Sequence, residues 1–206
     1  ELARSDKLDI AVDLMGYTRH NRMSIFSYRM AAIQINYLGF LGSMGSETID
    51  YIIADNIIIP RGNEKFYSEK IIYMPNSLQC IDDKLKSSEK IFTRKELGLK
   101  EDSFVFCNFA ENYKISKIEF NIWMKLLIKV ENSILWLLES NSLSKKNLIN
   151  EAKKRGIDTS RIVFSRKIPI ELHMSRQKYA DLFLDTFNYN SGVMSFLALR
   201  SGLPIL

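Results

Sequence analysis

Lys114, the pair His173 and Arg176, and the turn at residues 190–194 are the places in this chain where residue type and position could do chemistry. Lys114 follows an apolar run at 104–109 that reads as a strand, so it falls at the C-terminal edge of a sheet, where open α/β sheets bind their ligands. A cation there suits an anionic ligand; a solvated loop lysine is the reading the residues alone favour. His173 and Arg176 stand three apart, a spacing that puts both on one face of a helix and within reach of one ligand. A partly buried surface histidine is the alternative. Asn190, Ser191, Gly192, Val193 and Met194 run from a strand end into a helix start. Backbone amides there can bind an anion whatever the side chains, and Ser191 adds a hydroxyl. Nearer the N-terminus, Gly39, Gly42 and Gly45 flank Ser43 in a loop where bare backbone could approach a ligand, or which is a plain glycine-rich turn.

The elements that must position these residues are short apolar runs, bounded by turn residues, alternating with amphipathic stretches. That is the pattern of a parallel sheet with helices on its faces. Strands are expected at 8–14, 33–38, 51–53, 70–74, 104–109, 133–138, 161–164 and 182–185, with another beginning at 204. Ile118, Ile122, Trp123, Leu126 and Leu127 recur at helical spacing, as do Leu143, Leu148 and Ala152, and Gly156 ends that second helix. Phe120, Trp123, Trp136 and Phe183 fall on core faces. From residue 104 onward the order is that of a Rossmann-like half. Residues 79–90 are polar and aperiodic, and Thr93 with Glu96 reads as a capping box opening a short helix that stops at Gly98. The expected division is therefore a domain at 1–80, a linker at 81–91 and a second domain at 92–206. Two such pieces in series suggest a ligand cleft between domains.

Composition narrows the classes further. With 46% hydrophobic and 26% charged residues the chain is globular, neither disordered nor fibrous. A net charge of +5 raises nucleic acid as a partner, but the basic residues are scattered, so no nucleic-acid partner is expected. Cys80 and Cys107 form no C-x-x-C pair, which implies neither a disulfide framework nor a zinc site and fits a reducing cytoplasm. No run approaches the roughly 20 apolar residues of a membrane span, so no membrane partner is expected. The start on Glu1 and the apolar close at Leu203, Pro204, Ile205 and Leu206 lead to the expectation of an excerpt from a longer protein.

Several segments resemble the O-GlcNAc transferase and SPINDLY family. Residues 9–18, with Gly16-Tyr17-Thr18, are similar to its first strand and G-Y-T turn. Residues 32–45, with Gly39, Gly42, Ser43 and Gly45, are similar to its P-I-Q-x-x-x-L-G-Y-P-G-T-x-G loop, and Asp50 to Asp55 continue it. Tyr67-Ser-Glu-Lys70, Phe104-Val-Phe-Cys107 with Tyr113-Lys114-Ile115, the strand at 133–138, Asp185-Thr186 and Gly202-Leu-Pro204 complete the series in the family's order.

The resemblance implies a GT-B architecture, two Rossmann-like parallel-sheet domains, both incomplete here. It also implies a UDP-GlcNAc donor, Ser or Thr acceptors on proteins, inversion at the anomeric carbon, no metal or other cofactor, and tetratricopeptide repeats upstream. Fucose from a GDP donor, the reaction of plant SPINDLY proteins, is the alternative chemistry. By the same resemblance Lys114 would offset the leaving diphosphate's charge, the Ile168 backbone would read the base edge, His173 and Arg176 would hold the uridine, and residues 190–194 would cap the phosphates. Gly42 and Ser43 would belong to the sugar and acceptor loop. The family's catalytic histidine falls upstream of Glu1.

This chain departs from the pattern at Ile170, in place of a lysine, and at Gly192, Val193, Met194 and Leu197, in place of a histidine, two threonines and an aspartate. Ala110 and Glu111 replace an asparagine and a polar residue, and a carboxylate beside a diphosphate is unfavourable. Each lost hydrogen bond is worth about 0.5–3 kcal/mol, so weakened donor affinity is expected. A non-catalytic descendant, serving as an interaction or weak nucleotide-binding module, is the alternative function.

Overall fold

The computed structural model describes residues 2–206. The chain forms two compact units, the first ending at Ile81 and the second spanning Asp82–Leu206. In the first, α1 (Leu2–Ser5) precedes β1 (Ile10–Asp13), α2 (Met23–Phe26), β2 (Ile33–Tyr37), β3 (Tyr51–Ala54) and β4 (Lys70–Tyr73). The four strands form one parallel sheet in the order β1-β2-β3-β4.

Polar side chains shape this unit as much as apolar ones. Gln34, fully buried on β2, donates to the Phe26 and Thr48 carbonyls at 2.8 and 2.6 Å and accepts from the Met30 amide at 3.0 Å. It thereby binds the loops on both sides of its own strand. Asp13 accepts the Met15 and Gly16 amides at 3.0 and 2.8 Å, which turns the chain sharply after β1. Gly16 takes φ +53°, and a Cβ there would stand 2.4 Å from the Phe40 Cβ, so only glycine fits.

The second unit runs β5 (Phe104–Asn108), α3 (Lys117–Lys129), β6 (Ser133–Leu138), α4 (Ser142–Lys154), β7 (Ile162–Ser165), α5 (Ile170–Gln177), β8 (Leu182–Phe183) and α6 (Val193–Arg200). Its parallel sheet has the order β7-β6-β5-β8, and Ile205 bridges to Phe183. Side chains of β6 alternate between two cores. Leu135 and Leu137 pack with Phe120, Trp123 and Leu127 of α3, whereas Ile134 and Trp136 pack with Phe109, Phe183 and Ala198. Covering both faces makes every residue of β6 buried, which is why the strand reads as an unbroken apolar run.

The eight strands expected between residues 8 and 185 and both expected long helices form, whereas the strand expected to begin at 204 is only an isolated bridge at Ile205. Two further details differ. The expected strand at 182–185 is assigned only two residues, although ladder bonds continue as Leu184 and Asp185 donate to the Cys107 and Leu206 carbonyls at 2.8 Å. The Asp185 side chain instead turns back on its own chain. Thr93 and Glu96 form the reciprocal bonds of a capping box, Thr93 N to Glu96 Oε2 at 2.7 Å and Glu96 N to Thr93 Oγ1 at 3.1 Å, yet the segment remains a set of turns. Gly98, at φ +72°, reverses the chain before a helix can propagate beyond its costly nucleus. Gly156, at φ +76°, follows the end of α4 as expected.

Candidate functional site

A cavity of about 390 Å³ opens at the C-terminal edge of the second sheet, within the range of small-molecule sites. Phe109 and Ala110 after β5, Leu138 at the end of β6, and Lys167 and Ile168 after β7 contribute to its wall. Lys114, His173, Arg176, Ser191, Val193 and Met194 also line it, so the structure gathers most of the expected residues around one cavity.

Lys114 ends a short 3-10 turn at Asn112–Lys114, after which α3 begins almost at once. Its Nζ donates to the Asn190 carbonyl at 2.9 Å and lies 4.0 Å from the centre of the Tyr189 ring. Burial lowers its pKa, and the nearby Asp185 and Glu111 carboxylates pull in the opposite direction. Among the described residues Lys114 forms no ion pair.

His173 and Arg176 lie one turn apart on α5 and engage each other. Arg176 Nε donates to His173 Nδ1 at 2.9 Å, and its Nη1 donates to the Arg166 carbonyl at 2.8 Å. Phe109 receives both groups, with the His173 ring edge-on at 5.0 Å and the guanidinium 5.0 Å from the ring centre. His173 is thus buried, not a surface histidine. Burial, and then the Arg176 charge, push its pKa down to about 3, so the ring is neutral at pH 7. With Nδ1 accepting, the proton belongs on Nε2, a buried atom without a protein partner. Arg176 is 3% exposed and among the described residues has no carboxylate partner; burial lowers its pKa to about 10, which leaves it charged.

Among the described residues the one carboxylate lining the cavity is Glu111, and it is already paired with Lys167, which lines the same cavity. That pair holds its pKa below the usual carboxylate range. The carboxylate expected to repel an anionic ligand therefore arrives with its own counter-charge.

The 190–194 turn is built differently from a free anion nest. Gly192, at φ 60°, precedes α6, but Ser191 N and Oγ both donate to Asp185 Oδ1, at 2.8 and 2.6 Å. Asn190 gives its carbonyl to Lys114 and its amide side chain to the Thr186 carbonyl at 2.7 Å. Ser191, Val193 and Met194 face the cavity, where the last two join Leu197 in an apolar wall.

Gly42 and Ser43 lie in the first unit. Ser43 Oγ donates to Glu69 Oε2 at 2.8 Å, while the Met44 amide donates to Glu69 Oε1 at 2.6 Å. Glu69 is 4% exposed, so a buried carboxylate moulds this loop.

Sequence reasoning passed over Asp185, Glu119 and the Glu111–Lys167 pair. Glu119 was open to detection, because Ser116-x-x-Glu119 is a capping-box spacing placed just after Lys114. The pair joins residues 56 positions apart, which no local pattern reveals.

Two parallel α/β units, the second with a cation-lined cavity at its sheet edge, define a GT-B type of fold. The family model described as glycosyl transferase family 41 matches residues 1–90 and 79–206, and the chain belongs to that family. The chain is 31% identical over its whole length to a probable UDP-N-acetylglucosamine–peptide N-acetylglucosaminyltransferase SEC of Arabidopsis thaliana. It is 29% identical over 98% of its length to a probable enzyme of the same description, SPINDLY, of Oryza sativa subsp. japonica. It spans 22% of each of these relatives. Among solved structures, an O-GlcNAc transferase of Thermobaculum terrenum superposes with a TM-score of 0.85 at 22% identity, covering the whole chain and 39% of that protein. No helix among the described residues is long and apolar enough to cross a membrane.

Proposed function

We propose that this chain supplies the donor-binding part, and a portion of the acceptor-side domain, of an inverting, metal-independent protein O-GlcNAc transferase. The reaction moves GlcNAc from UDP-GlcNAc to Ser or Thr of cytoplasmic proteins, with the base supplied from upstream of residue 1. One observation carries this reading. Two cations, Lys114 and Arg176, line a single cavity without a carboxylate among the described residues bound to either, while the cavity's own carboxylate is neutralised by Lys167. Such a site lacks an anion, and a nucleoside diphosphate supplies one. Lys114 offsets the charge that grows on the leaving diphosphate, and the neutral His173 presents Nε2–H to an acceptor on the nucleoside.

A second reading has its own observation. Asp185 already occupies the Ser191 amide and hydroxyl, and the side chains of Val193, Met194 and Leu197 offer no hydrogen bonds, an arrangement that suits a non-catalytic descendant. Calorimetric titration of the full-length protein with UDP separates the two. Transferase function expects measurable affinity that falls about 10- to 100-fold in Lys114→Ala, the range for a hydrogen bond from a charged group. No heat with UDP favours the descendant, and tighter binding of GDP favours transfer of another sugar such as fucose.

A further inference from the structure

Glu119 is fully buried at the start of α3, and its two oxygens do different things. Oε2 accepts the Ser116 amide at 3.1 Å and the Ser116 hydroxyl, and the Glu119 amide donates back to the Ser116 side chain, which completes a capping box. That accounts for one oxygen only. Oε1 accepts the amide of Phe187, 3.0 Å away and 68 residues further along the chain.

Phe187 belongs to the turn that holds Lys114. Thr186 Oγ1 donates to the Tyr189 carbonyl at 2.6 Å and Asn190 Nδ2 donates to the Thr186 carbonyl at 2.7 Å, so the turn is closed on itself. Its Asn190 carbonyl receives Lys114 Nζ, and its Tyr189 ring lies beneath the same ammonium. Lys114 in turn stands two residues before Ser116. A closed ring results: Lys114, the first turn of α3, Glu119, the 186–190 turn, and Lys114 again.

We infer that Glu119 is a positioning residue for Lys114, fixing the ammonium at the cavity by pinning the 186–190 turn to the start of α3. A lysine side chain has four rotatable carbons and loses aim unless its partners are rigid. Both partners of Lys114 sit on the turn that Oε1 anchors. Removing that oxygen leaves the Phe187 amide to water, loosens the turn and frees the ammonium to leave the cavity. The inference rests on the donor-binding reading above.

The test is calorimetric titration with UDP on the full-length protein and its variants, with hydrogen exchange of the 186–191 amides followed by mass spectrometry. Glu119→Ala and Ser116→Ala both destroy the capping box, so loss of helix capping is common to them. Only the first releases Phe187. Glu119→Ala is expected to weaken UDP binding about tenfold and to speed exchange across the turn, with Ser116→Ala changing affinity less than about twofold. Glu119→Gln keeps a carbonyl for Phe187 and recovers most of the affinity. The double variant Lys114→Ala/Glu119→Ala binds no more weakly than Lys114→Ala, because the glutamate acts through the lysine. Equal losses in Ser116→Ala and Glu119→Ala, or losses that add to that of Lys114→Ala, overturn the inference. Normal UDP binding by Glu119→Ala alongside a weakened Lys114→Ala overturns it alone, leaving the donor-binding reading intact. An unaltered protein with no affinity for UDP overturns both.

Discussion

The two sheets handle the same kind of strand in opposite ways. β6 buries all six of its residues, four of them divided between two cores. β1 buries only Ala11 and Asp13 and leaves Ile10 at 53% and Val12 at 43% exposure, so its larger apolar side chains point outward. Apolar content alone therefore does not measure what a strand contributes. Burial on both faces makes β6 a keystone of its unit, and the same residue types on the open face of β1 contribute little.

That contrast can be broken or sharpened by experiment. The largest effect is expected at Trp136, which is fully buried, packs edge-on against Phe109 and donates Nε1 to Ser165 Oγ at 2.7 Å. Trp136→Ala should cost the second unit about 3–5 kcal/mol. Cys107, buried on the adjacent strand in register with Trp136, provides the readout: its alkylation, followed by mass spectrometry, should accelerate by orders of magnitude.

Next comes acid. The folded His173 has a pKa of about 3, against about 6.5 in an unfolded chain, so between these values the unfolded state takes up a proton that the folded state refuses. The resulting stabilisation is complete above about pH 6.5 and drains away as pH falls toward 3, about 3 kcal/mol being lost between pH 7 and pH 4. His173→Gln should flatten that part of the acid response, as read from protection of the β6 amides, while the first unit is unaffected.

Glu69→Ala should cost the first unit about 1–3 kcal/mol, because it strands the Met44 amide and takes from the Ser43 hydroxyl its 2.8 Å carboxylate partner. Faster exchange at residues 43–46 is the measurement. Smallest of all, Ile10→Ser on the open face of β1 should change stability by no more than about 0.5 kcal/mol. A cost near that of Trp136→Ala would show that this face is covered in the whole protein and would remove the contrast.

Most of the fold was legible because its signals are local. The run Ser133 to Leu138 reads directly as the buried strand it forms, and Gly156 marks the helix end that it makes. The site was legible in part. Lys114, His173, Arg176, Ser191, Val193 and Met194 meet at one cavity, as the motif resemblance suggested. What escaped were bonds between distant segments that have no local period: Asp185 folding back onto Ser191, Lys167 covering Glu111, and the second oxygen of Glu119 reaching Phe187. The helix expected after Thr93 failed for the opposite reason, since a correct local cap was followed too soon by a left-handed glycine.

The grip on Lys114 by Asn190 joins residues 76 positions apart, and this sets an order of events during synthesis. A ribosome delivers the lysine long before its carbonyl partner, and non-local contacts form only after the intervening chain has been laid down. While β5, α3 and β6 are emerging, the ammonium has nothing to hold it, and Glu119 can do no more than close the start of its own helix. On the proposed reading of the cavity, donor binding would be withheld from the nascent chain until residues 182–200 have cleared the exit tunnel, and a stalled or truncated product lacking them would fold much of its sheet without a nucleotide site.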